Sequence, residues 1–166
     1  MSIEEQIRLL LGERRLVELG VPRGYVQRRL YLEASLFSEM TKERDDEYAV
    51  ERFARLEADL AVFCESPTLD PAYLFLLRPP ESAVWEIRSK ADPQIRVFGQ
   101  FAKTNCFVAT NYEYRDYLGD IEAWQWNEEI KRAKCIWRSL FPAHSPMRTK
   151  DINKVITGAI DEQYYK

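Results

Sequence analysis

The stretch from Ala83 to Thr110, AVWEIRSKADPQIRVFGQFAKTNCFVAT, constrains this chain more than any other. Three short apolar runs are separated by turn residues, with Asp92-Pro93 in the first gap and a polar Ala102 to Asn105 in the second. Gaps this short join antiparallel neighbours, so the spacing predicts a three-stranded meander. Period-two alternation then sorts the side chains. Trp85 and Ile87 share one face with Ile95, Val97 and Phe101. Glu86 and Arg88 share the other with Arg96, Phe98 and Gln100. One face is therefore apolar, while the opposite one carries two arginines and a glutamate. The plain alternative is a half-solvated sheet whose Glu86, Arg88 and Arg96 form a surface network of little energetic consequence.

The chain of 166 residues fits one domain with an appendage and is long enough for a substantial core. A hydrophobic content of 46% with 13% aromatics excludes a disordered segment. The net charge of -3 and the pI of 5.4 argue against broad attraction to nucleic acid, though not against a local basic patch. Cys64, Cys106 and Cys135 are too scattered for a C-x-x-C unit, and there is one histidine, so no zinc site and no other metal or cofactor is expected. Isolated thiols suit a reducing cytoplasm. The first residues, MSIEEQIRLLLGERR, lack the apolar core of a signal peptide, and nothing reaches the ~18 apolar residues of a membrane span. The expectation is a cytoplasmic protein without membrane contact.

Along the chain, Ile3, Ile7, Leu10, Leu11 and Val17 predict a helix from Ile3 to Leu19. Ser2 and Glu5 form its capping box, and Gly20 stops it ahead of a Val21-Pro22-Arg23-Gly24 turn. Tyr25 to Leu36 satisfies both strand and helix periods. Thr41 to Glu47 is a charged run suited to a loop or helix end. Tyr48 to Glu65 is an amphipathic helix with Val50, Phe53, Leu56, Leu60 and Phe63 as its stripe, closed by Ser66-Pro67. Tyr73 to Leu77 is a short strand or a buried connection. Asp120 is placed to cap a helix from Ile121 to about Leu140, with Trp124, Ile130, Trp137 and Leu140 inward. A last short helix follows from about Asp151 to Ile160, then the polar tail DEQYYK.

The run V-W-E-I-R-S, a turn, I-R-V-F-G-x-F and an apolar strand together resemble the RelE/HigB-like branch of the RelE/ParE toxin superfamily. The family pattern reads W-E-x-R, then y-R-v-f-y, then an apolar strand leading to a basic F-x-K-K. The likeness extends in layout from Leu30 to Phe141 and is carried by motifs between Val84 and Arg115. It implies an α+β fold, a RelE-like twisted antiparallel sheet with helices packed on one face and a helix after the last strand. It also implies a first strand near Gln27 to Glu33. Residues 25–142 would be the RelE-like domain, 1–24 an N-terminal helical extension and 143–166 a C-terminal extension. Many members of the family cut messenger RNA on the ribosome and are restrained by an antitoxin; a sister branch poisons DNA gyrase without nuclease activity.

Ribonucleolytic transfer needs a proton acceptor at the 2′-hydroxyl, a stabiliser of the phosphorane and a proton donor to the leaving oxygen. The resemblance puts Arg88 and Arg96 at two family arginines, where forked hydrogen bonds would clamp a phosphate. The family's F-x-K-K falls on Tyr112-Glu113-Tyr114-Arg115. Arg115 keeps one basic position, while Tyr114 replaces the other with a phenol whose usual pKa near ~10 makes it a poor acceptor at neutral pH. The implied catalytic set is Arg88, Arg96, Arg115 and Tyr114, with Lys103, Tyr112 and Glu86 as RNA contacts. Tyr112, Tyr114 and Tyr117 equally suit a covering of the sheet edge. Two functions remain open on this reading. One is a metal-independent messenger-RNA endonuclease with an antitoxin, acting free or on the ribosome. The other is a non-catalytic interaction module on the same fold, and a homodimer formed through the N-terminal helix is a further possibility.

Overall fold

In the computed structural model, which describes residues 1–20 and 26–160, six strands follow one another as β1 (Leu16–Glu18), β2 (Arg29–Glu33), β3 (Leu74–Leu76), β4 (Trp85–Ser89), β5 (Ile95–Lys103) and β6 (Cys106–Tyr114). The helices are α1 (Ile3–Gly12), α2 (Ala34–Thr41), α3 (Glu47–Glu65), α4 (Arg115–Leu118), α5 (Trp124–Leu140) and α6 (Ile152–Val155). The turn expected at 21–24 and the tail DEQYYK lie outside the described residues.

The strands make one open sheet in the order β1-β2-β6-β5-β4-β3. The meander predicted from Ala83 to Thr110 is β4, β5 and β6, with Ile87 opposite Val97 and Val97 opposite Tyr112. The sheet is mixed rather than wholly antiparallel, because β2 runs parallel to β6 with Leu30 opposite Phe107. After β2 the chain passes through α2 and α3 to β3 at the far edge of the sheet and comes back through β4 and β5 to place β6 beside β2.

Helices cover both faces, not one. On the first face α2, α3 and α6 close over Leu30, Ile87, Val97, Phe101 and Phe107. On the second, α1 and α5 close over Tyr31, Phe98 and Val108. Those three apolar positions alternate with the first set along their strands and need a cover of their own. Phe98, on the face that looked polar in the sequence, meets Trp126 edge-on at 6.2 Å.

Local chemistry explains most element ends. Ser2 Oγ accepts from the Glu5 amide at 3.1 Å and Glu5 Oε2 from the Ser2 amide at 2.8 Å, the predicted capping box. The first helix nevertheless stops at Gly12, not Leu19. Arg14 adopts φ +59°, and the Arg15 amide bonds back to the Leu10 carbonyl. The chain turns there so that Leu16–Glu18 can pair with β2 as an edge strand, which buries Leu16. In α5 the helix starts at Trp124 without a side-chain cap, and Asp120 lies outside it. Its inward phase is Trp126, Ile130, Ala133, Trp137 and Leu140, which leaves Trp124 63% exposed rather than in the core. Val50 of α3 likewise points to solvent. The terminal segments contribute Leu10 and Leu16 to one core and Ile152, Val155 and Ile156 to the other.

A bulge in β6 positions everything that follows. Phe98 pairs with Asn111 but Gly99 with Ala109, so Thr110 has no partner across the ladder. A Cβ on Gly99 would overlap the Val108 carbonyl and lie 2.6 and 2.7 Å from the Phe107 ring. Gly99→Ala is therefore expected to cost about 2 kcal/mol through forced displacement of a packed strand, lowering Tm by about 6 °C. Thermal melting followed by circular dichroism measures it, and an unchanged Tm would show that the strand yields freely.

Candidate functional site

The sheet brings Arg88 of β4 directly opposite Arg96 of β5, and Glu86 lies two residues before Arg88 on the same face. Like charges facing each other across a ladder are unfavourable, and Glu86 resolves the conflict. Its Oε1 is 3.1 Å from Arg88 Nε and its Oε2 is 3.7 Å from Arg96 Nε. Glu86 is fully buried and Arg96 nearly so, while the Arg88 side chain keeps 24% of its surface. The half-solvated surface network considered from the sequence is thus a largely buried one. Arg96 Nη2 donates to Gln94 Oε1 at 3.2 Å. The Arg88 guanidinium lies 3.7 Å from the centre of the Phe75 ring.

Arg115 joins the cluster from the start of α4. Its Nη1 donates to the Gly119 carbonyl at 2.7 Å, and its guanidinium lies 5.5 Å from the Trp126 ring. Burial pulls the Arg96 guanidinium down to about 10; Glu86 opposes that shift, and the positive charges of Arg88 and Arg115 add to it. Arg88 and Arg96 therefore share one sealed carboxylate, and Arg115 adds its charge beside Arg96. The rim formed by Arg88 and Arg115 is half-buried.

The tyrosines are elsewhere. Because Thr110 is an extra residue, the side-chain alternation of β6 changes phase beyond it, and Tyr112 and Tyr114 pack on the α2–α3 face. The Tyr112 hydroxyl donates to Glu39 Oε1 at 3.3 Å, and its ring meets Phe53 edge-on at 6.0 Å. Burial first, and then the Glu39 carboxylate, push the Tyr112 phenol far above its usual range. Arg52 Nη1 donates to the Tyr114 hydroxyl at 3.4 Å. Lys103 is at the far end of β5, where its Nζ is 3.2 Å from Glu4 Oε1 of α1. Of the seven residues singled out in the sequence, the structure groups Glu86, Arg88, Arg96 and Arg115. It separates Tyr112, Tyr114 and Lys103 from them.

A polar network beneath α5 was missed. Asn111 Nδ2 donates to Glu129 Oε2 at 2.8 Å, and the Thr110 hydroxyl donates to Asn111 Oδ1 at 2.6 Å. Burial raises the Glu129 carboxyl, against the Asn111 hydrogen bond that lowers it. The signal was present in the helix phase: Glu129 falls between Trp126 and Ala133 at intervals of three and four, on the inward side.

The cluster can hold and polarise an anion at its Arg88–Arg115 rim. Glu86 is sealed, while Glu113 of β6 stands directly opposite Arg96, half-buried like the rim, with its Oε1 accepting from the Tyr114 amide at 2.8 Å. Among the described residues no group of three or more His, Cys, Asp or Glu side chains is placed to hold a metal ion. No described helix is long and apolar enough to cross a membrane. No protein-family model matches the chain, and no curated protein or solved structure does.

Proposed function

We propose that this chain is a non-catalytic protein-interaction module on a RelE-like scaffold. The run of a strand, two helices, a three-stranded meander and a helix, here β2, α2–α3, β4–β6 and α5, supports the scaffold. The non-catalytic reading is carried by one observation, the division that the Thr110 bulge makes between the arginines and the tyrosines. Cleavage of RNA needs an acceptor, a stabiliser and a donor around one phosphate. The arginines supply the stabiliser, while Tyr114, the candidate for proton transfer, lies on the other face of the sheet.

The surface assigned to the partner is the corner between α4 and α5. Leu118, Ala123 and Trp126 turn into the core there, while Tyr117, Ile121 and Trp124 stay in solvent. Three large apolar side chains within eight residues form the kind of patch that anchors protein contacts. Asp116, Asp120 and Glu122 are exposed among them, so the complementary partner segment carries apolar side chains together with lysine or arginine.

One observation favours a second reading, a metal-independent endoribonuclease restrained by an antitoxin: Arg88 and Arg96 share Glu86 and the Arg115 charge acts on Arg96, a gathering of guanidiniums suited to phosphate. Induced expression of the wild type and of Arg88→Ala/Arg115→Ala, with messenger-RNA integrity followed, separates the two. Intact RNA in both cultures is expected. A stoichiometric protein partner should co-purify with both and be lost from Tyr117→Ser/Trp124→Ser at equal soluble level. RNA cleavage by the wild type that the arginine variant relieves would replace the interaction module with the nuclease.

A further inference from the structure

We infer that the recess between α1, β2 and the β5–β6 turn binds a small organic anion with an aromatic or apolar body. Its volume is ≈ 240 Å³. Helix α1 presents Glu4, Arg8 and Leu11 along one side, at intervals of four and three, towards Arg29 of β2 and Lys103 of β5. The floor is made by Ile7, Tyr31 and Cys106, all buried.

The rim concentrates positive charge in a protein whose net charge is negative. Arg8, Arg29 and Lys103 stand against Glu4 in the recess and Glu18 beside Arg29, a local balance of plus one. Among the described residues Arg8 makes no ion pair. Arg29 is steered by a long hydrogen bond from Nη1 to the Tyr31 hydroxyl at 3.5 Å, with Glu18 at 3.6 Å. Lys103 and Glu4 are paired, yet each side chain is half exposed. An exposed pair of this kind is weakly held, so an incoming anion can take the place of Glu4 on Lys103. Burial pushes the Cys106 thiol up to about 11, so it remains neutral and does not repel the ligand at neutral pH.

Size and chemistry narrow the ligand. The recess is smaller than the ~300–1,000 Å³ of sites for drug-sized molecules, which suits a single ring or a short chain rather than a polymer. Guanidinium forks favour a phosphate monoester or a carboxylate as the head group. The floor favours an attached ring over a bare ion. The site is remote from the Arg88–Arg115 rim and stands whether or not the interaction-module reading does.

Calorimetric titration of the full chain with phenyl phosphate tests the site, with benzoate, inorganic phosphate and phenol as parallel arms. Saturable binding of phenyl phosphate or benzoate is expected, whichever head group is preferred, at least about tenfold tighter than inorganic phosphate or phenol. Arg8→Ala and Arg29→Ala should each weaken it by about tenfold without moving the thermal midpoint. Glu4→Gln should tighten it, because the competing carboxylate is gone. Absence of saturable binding, equal affinity for inorganic phosphate, or indifference to both arginine substitutions would overturn the proposal.

Discussion

An Arg28→Met variant is expected to lose about 3–5 kcal/mol of unfolding free energy, with Tm falling on the order of 10 °C. Arg28 is fully buried, an unusual place for a guanidinium. Its Nη1 donates to the carbonyls of Phe63 and Ser66, each at 2.8 Å, and its Nη2 to the carbonyl of Thr157 at 2.7 Å. The first two acceptors close the end of α3, where carbonyls lack helical partners and the helix dipole favours a cation. The third fastens the segment after α6 to the body of the protein. Methionine would fill the volume and take the donor from three carbonyls, that of Phe63 in a buried site, which is the expensive way to lose a hydrogen bond. Arg28→Lys should recover only part of the loss, since one ammonium on a flexible stem cannot span the three acceptors in the same fork. Urea denaturation of the three proteins measures the difference. A cost below about 1 kcal/mol, the worth of one ordinary hydrogen bond, would mean that the carbonyls find other donors.

Glu86→Ala is expected to have an effect of similar size, about 3–5 kcal/mol, because it strands the Arg96 guanidinium in a buried site beside two other arginines. The informative partner is the double variant Glu86→Ala/Arg96→Met. Replacing both buried charges by apolar groups removes the desolvation penalty together with the attraction, so most of the stability should return. A double variant that is weaker than Glu86→Ala would show that Glu86 acts through packing and not through charge compensation. The same pair of variants bears on function: if the cluster is structural, co-purification of a partner should survive in the double variant once folding is restored.

Much of the architecture was legible in the sequence. The strands of the meander, the capping box of α1, the long α3 and the inward Ile130, Trp137 and Leu140 of α5 follow from apolar spacing and cap chemistry that act within a few residues, whereas the first turn of α5 was phased on Trp124 instead of Trp126. Face assignment in β4 and β5 was legible too, because their alternation is unbroken from Trp85 to Ser89 and from Ile95 to Phe101. The site was legible only in part. Glu86, Arg88 and Arg96 share a face by alternation, but nothing local reports that α5 lies over part of that face. The separation of Tyr112 and Tyr114 from the arginines was not legible, because a single extra residue, Thr110, reverses the alternation of β6 beyond it, and a bulge is set by the partner strand. Arg28 was unremarkable as one of 24 basic residues until its three carbonyl acceptors, from two distant segments, came together around it.

The sequence by itself determined the α+β class, the meander and the two long helices, because periodicity and capping depend on neighbours along the chain. The tertiary structure alone decided that β2 runs parallel to β6, that both faces of the sheet are covered, and that the arginines and tyrosines stand on opposite sides. Those outcomes depend on contacts between residues far apart in the chain, where the burial of Phe98, Tyr31 and Val108 against α1 and α5 outweighs the solvation of the charges that share their face.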